Sequence, residues 1–105
     1  MGWTYLMLAG LFEIGFTTSM RYIDMSLRPL PILVFLVFAA ASLALLAAAM
    51  QSIPLGTAYA VWTGIGAAGT VLVGLAVYGE PATTLRLVFL TLLIGSIVGL
   101  KLVSN

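Results

Sequence analysis

"LMLAGLFEIGFTTSM", Leu6–Met20, is apolar for most of its length and carries one carboxylate, Glu13, near its middle. A run this oily reads as a helix that crosses a bilayer, whose hydrocarbon core is spanned by about 20 apolar residues. An ionisable group at such depth is expensive to hold and marks function by default. Fold and function therefore both turn on this stretch.

The rest of the chain repeats the pattern. Of its 105 residues 63% are hydrophobic and 7% charged, more apolar surface than a soluble domain of this size can hide. Apolar runs cover about residues 3–20, 30–50, 56–78 and 85–103, broken at "RYIDMSLRP", "QSIP" and "GEPATTLR". The expectation is an all-α membrane protein, residues 1–105 forming a single domain of four transmembrane helices with both termini on one side. The first run lacks a basic n-region and three more spans follow, so it reads as a retained helix, not a cleaved signal.

Several chemistries are excluded at once. The sequence has no cysteine and no histidine, which removes disulfides, thiolate or imidazole metal sites and imidazole proton relays. No metal and no cofactor is expected, and no nucleophile–base pair suggests an enzyme. A net charge of +1 offers no patch for nucleic acid. The partners to expect are the lipid bilayer and a small ion. Arg21, Arg28 and Arg86 lie in the first and third loops and Lys101 on the other side, a weak bias placing those loops in the cytoplasm and compatible with fixed or mixed orientation.

Four helices make a thin bundle that hardly encloses a cavity, so oligomerisation is expected. Gly95 and Gly99 in "IGSIVG" have the spacing that lets two helix backbones approach, between subunits or within one. On the first helix Ala9, Gly10 and Thr17 surround Glu13 with a small, slightly polar face. No Lys or Arg lies at mid-membrane depth to pair with Glu13, which points to a counter-ion that comes and goes; the competing role is a protonated acid linking two helices. On the third helix Tyr59 could donate its phenol to a carboxylate, and Trp62 could present its ring to a cation. Ser42 is the one hydroxyl in the alanine run of the second helix and, alone, reads as a packing residue. Gly64 and Gly66 permit a kink in the third helix, or close packing.

The block "IPLGTAYAVWTGIGAAGTVLVG" at residues 53–74, in a four-helix chain with a glutamate in its first helix, resembles the small multidrug resistance family over essentially the whole chain. "PLGTAYAVWTGIGA", "YGEP" and "GLK" look like its guanidinium exporter branch. The resemblance implies an antiparallel dimer in the bacterial plasma (inner) membrane that exchanges protons for small cations. By position it makes Glu13 the substrate- and proton-binding group, lined by Tyr59, Trp62, Ser42 and Gly10. Two departures stand out: the branch usually has Trp three residues and Lys eight residues after the glutamate, whereas this chain has Phe16 and Arg21. Phe16 offers no N–H to orient the carboxylate. "FTTSMR" leans toward quaternary ammonium exporters, or toward one member of a pair of paralogous chains forming a heterodimer.

Overall fold

The computed structural model describes residues 1–23 and 29–103, so Asp24 and Arg28 of the first loop lie outside the described residues. The four apolar runs form four α-helices: α1 Gly2–Met20, α2 Pro29–Ala49, α3 Leu55–Val77 and α4 Thr84–Val103. The expectation of an all-helical chain with four long apolar helices is met.

Prolines, a threonine and one glycine set the ends. Pro29 and Pro31 stand in the first turn of α2, where an N–H has no partner inside the helix and proline is tolerated. Pro54 precedes α3 in an extended conformation. Thr83 caps α4, its Oγ1 accepting the Arg86 N–H at 3.3 Å. After α3, Gly79 adopts φ +65°, which lets the N–H groups of Tyr78 and Glu80 both reach the Gly74 carbonyl at 3.1 Å.

Three helices, α2, α3 and α4, are each long and apolar enough to cross a membrane. α1 is not among them although it has 19 residues, because Glu13 and the hydroxyls of Thr17, Thr18 and Ser19 dilute its hydropathy. Packing compensates: α1 lies against both α2 and α3, whereas α4 packs on α3 and reaches α1 at one end, where Lys101 Nζ lies 5.6 Å from the Trp3 ring centroid. Hydroxyls on the helices are absorbed by carbonyls of the preceding turn, as with Ser19 on Phe16, Thr63 on Tyr59, Thr91 on Leu87 and Ser96 on Leu92. That bonding is what a medium without water demands.

The seams fix the register. Between α1 and α3, Gly10 faces Ile65, Glu13 faces Gly66, Ile14 faces Gly69 and Thr17 meets Thr70. Both numbers rise together, so these two helices run parallel. Against α2, Ala9 meets Ser42, Phe12 meets Phe38 and Phe16 meets Phe35. There one number rises as the other falls, the mark of antiparallel neighbours. Gly64 lies under Ile97 and Leu93, and Lys101 at the end of α4 sits over Trp3 at the start of α1, so α4 runs antiparallel to α1 and therefore to α3.

The buried core is small, with Leu6, Ala9, Leu46, Ala49, Ile53, Ala58 and Val61 gathered near the α2–α3 turn. Elsewhere large apolar side chains face outward, most of all on α4, which buries Leu90 and exposes Phe89, Leu92, Val98 and Leu102. The backbone measures 46 × 35 × 16 Å, about two helix layers through its short axis. The chain is a flattened bundle whose outer surfaces are mostly apolar.

Candidate functional site

Glu13 sits on the face of α1 that meets α3, and glycine makes room for it. A Cβ added at Gly66 would fall inside the Glu13 carboxyl group and lie 2.7 Å from its Cγ. One carboxyl oxygen, Oε1, is buried with no hydrogen-bond partner among the described residues. The one ion pair among the described residues joins Arg86, in the first turn of α4, to Glu80 in the loop before it, so no Lys or Arg among the described residues answers the Glu13 carboxylate. A half-buried acid lacking a partner is costly.

Beside it runs a hydrogen-bond chain through three helices. The Trp62 indole N–H of α3 donates to Ser42 Oγ of α2 at 2.9 Å, and Ser42 donates to the Ala9 carbonyl of α1 at 2.6 Å. Ser42 is fully buried. In an α-helix the Ala9 carbonyl also takes the N–H of residue i+4, which is Glu13. The chain therefore ends on the turn that carries the carboxylate. It holds that turn at a set distance from α2 and α3.

Tyr59 lies tilted beside Trp62, 5.8 Å between centroids, and is 56% exposed. No hydrogen bond joins Tyr59 or Trp62 to Glu13 among the described residues, and the Trp62 N–H is engaged by Ser42. Gly10 is buried under Ile65, where its missing side chain lets α1 and α3 close up. Phe16 turns toward α2 and packs edge-on against Phe35 at 5.7 Å. α3 runs unbroken through Gly64 and Gly66, both buried, with Ile97 and Glu13 in the space they leave. Gly95 and Gly99 meet nothing within 4 Å, so their small face serves no contact inside the chain.

Sequence reasoning missed a hydroxyl pair. Thr17 Oγ1 lies 2.7 Å from Thr70 Oγ1 and 2.9 Å from the Glu13 carbonyl. The clue was present in the spacing: Thr17 follows Glu13 by four residues and Thr70 follows Gly66 by four, so parallel helices in that register bring both pairs together. Beyond it, Tyr22 and Tyr78 share a hydroxyl hydrogen bond. That bond first, then burial, pushes the Tyr78 phenol above its ordinary range, against the opposing charge of Arg21.

Ser42 gives a direct test of the chain. Ser42→Ala removes the acceptor of Trp62 and the donor to Ala9 while leaving the volume nearly unchanged. A buried group left unpaired costs roughly 1–3 kcal/mol. Ligand affinity at Glu13 is expected to fall by about tenfold, read by titration of the purified protein; unchanged affinity would show the chain to be structural only.

Comparison with known proteins places the chain among relatives. The model of the Small Multidrug Resistance protein family matches residues 1–93. A "Guanidinium exporter" of Yersinia pseudotuberculosis is 47% identical over 99% of this chain and 100% of its own length. A "Guanidinium exporter" of Escherichia coli K12 is 44% identical over the full length of both. "Probable guanidinium efflux system subunit GdnD" of Bacillus licheniformis is 46% identical over 99% of this chain and 100% of its own.

Proposed function

The chain belongs to the Small Multidrug Resistance protein family, and on that premise we propose that it exports guanidinium, or substituted guanidinium ions, in exchange for protons. The observation that carries the reading is the Glu13 carboxyl, buried at Oε1, unpaired, and seated in the space left by Gly66. Guanidinium is planar, presents only donors, and matches both oxygens of a carboxylate in a charge-assisted pair. A proton uses the same oxygens. Occupancy is then mutually exclusive, and a site that opens to each side in turn moves the cation out as protons come in.

Around the carboxylate, Ser42 and Trp62 hold the α1 turn in place, Gly10 and Gly66 keep α1 and α3 close, and the Tyr59 and Trp62 rings offer aromatic faces to the cation. Phe16 borders the site with an apolar ring in place of an N–H donor. Full-length relatives named as guanidinium exporters support the substrate. The test is uptake into proteoliposomes by the purified chain, with guanidinium and a tetraalkylammonium ion side by side. Guanidinium flux driven by a pH gradient is expected. Flux indifferent to the gradient would overturn the coupling, and preference for tetraalkylammonium would overturn the substrate.

We also infer that the working unit is an antiparallel dimer in the bacterial inner membrane. Beside Glu13 the flat bundle leaves Tyr59 largely exposed, and a second copy or a paralogous subunit laid over that face would close the site. Gly95 and Gly99 supply an uncommitted small face on α4 for such contact. Gly99→Leu is expected to leave the chain folded, since nothing stands within 4 Å of that position, and to shift the population to monomers in single-molecule counting. Transport by the purified chain alone identifies a homodimer; transport only on co-expression with a paralogue identifies a heterodimer.

A further inference from the structure

One turn along α1 from Glu13, about 6 Å by helix geometry, the seam between α1 and α3 opens into a pocket of mixed polar and apolar lining, about 150 Å³. That is the liquid volume of roughly five waters, ample for a planar ion the size of guanidinium. Thr17 and Thr70 line it together with Thr18, Arg21, Tyr78 and Glu80, and Val73 and Gly74 complete the wall. Thr18 Oγ1 is buried with no hydrogen-bond partner among the described residues. Glu80 is delivered there by the left-handed turn at Gly79, its carboxyl lying against Gly74.

One guanidinium of the chain, that of Arg21, lines the pocket, and a second, that of Arg86, meets its carboxylate from outside. The Arg21 guanidinium lies over the Tyr78 ring, 4.0 Å from its centroid. Arg86 places Nη2 3.4 Å from Glu80 Oε1 and donates Nη1 to the Pro81 carbonyl at 3.2 Å. A carboxylate, an aromatic face and acceptor hydroxyls are what a planar cation with donors and no acceptor requires. Arg86 holds Glu80 loosely: the contact is long and single, and both side chains are over 40% exposed. Pairs of this kind contribute about 0–1 kcal/mol.

We propose that this pocket is a second, weaker station for the transported guanidinium ion, which displaces the Arg86 head group from Glu80 on its way between Glu13 and the membrane surface. The proposal rests on the reading that guanidinium is the transported ion. Two arginines beside one carboxylate keep affinity below that of Glu13. Weak binding suits a transit site, because an ion must be able to leave as readily as it enters.

The test uses the full chain carrying Glu13→Gln, which silences the central site, with guanidinium chloride as the probe and sodium chloride at equal ionic strength as the control. Saturable NMR shifts at Thr18 and Tyr78 are expected with guanidinium and not with sodium. Adding Glu80→Gln should abolish them. Adding Arg86→Ala instead should tighten the apparent Kd by about two- to fivefold, the worth of an exposed ion pair. Shifts that sodium reproduces, that survive Glu80→Gln, or that never appear would each overturn the second station. The two readings fail differently: a chain with Glu13 intact that binds no guanidinium defeats the proposed function, whereas binding at Glu13 with none in the pocket defeats only the station.

Discussion

Glu13→Gln is expected to lower proton-coupled exchange by at least about a hundredfold. Truncating one partner of a buried, hydrogen-bonded charge pair costs about 2–5 kcal/mol, and 2.7 kcal/mol is about a hundredfold in an equilibrium constant. Glutamine keeps the shape of the side chain and its fit over Gly66, so the fold is not expected to suffer. On the proposed function, what disappears is the charge that would attract the cation and the atom that would hold the proton. Both arms should therefore fail together: guanidinium binding by calorimetry, and guanidinium uptake driven by a pH gradient. A variant that still exchanged one for the other would remove Glu13 from the mechanism.

The second large effect is expected at Gly66→Ala, a single methyl group. Its Cβ would occupy the position of the Glu13 carboxyl group, 2.7 Å from Cγ. The obstructing atoms are the end of a flexible side chain, not backbone, so the structure can yield by swinging the carboxyl away. Overpacking of this kind costs about 1–3 kcal/mol. Here the strain falls on the carboxyl group, and exchange is expected to drop by about tenfold or more with the melting temperature little changed. Gly95→Ala supplies the contrast, since its new methyl meets nothing inside the chain. If Gly66→Ala transported normally, the seat of the carboxylate would not matter.

Four helices were legible because the solvent is simple: in hydrocarbon the backbone must bond to itself, and apolar length alone announces a helix. Glu13 was legible for the same reason, as a charge in the wrong medium. The pairing of helices was harder. Nothing in composition says that α1 lies between α2 and α3, and the Ser42 link from Trp62 to Ala9 depends on that placement. Read singly, Ser42 was a packing residue and Trp62 a cation-facing ring. Together they are one strut. Tyr59 shows the opposite limit: its spacing suggested a bond to the carboxylate, yet it faces outward at 56% exposure, toward a region a single chain leaves open. The pocket at Tyr78 and Glu80 was invisible, because it depends on a left-handed turn bringing a loop carboxylate back over α3.

The modest hydropathy of α1 also bears on how the protein is made. The ribosome delivers first the one helix of the four that is not apolar enough to span by composition, with an acid near its centre that costs on the order of 3 kcal/mol on insertion scales. Its shelter, the α2 flank and the glycine seam of α3, is synthesised later. The contacts that offset the cost of that acid in hydrocarbon are thus ones that α1 can make only once α2 and α3 are present.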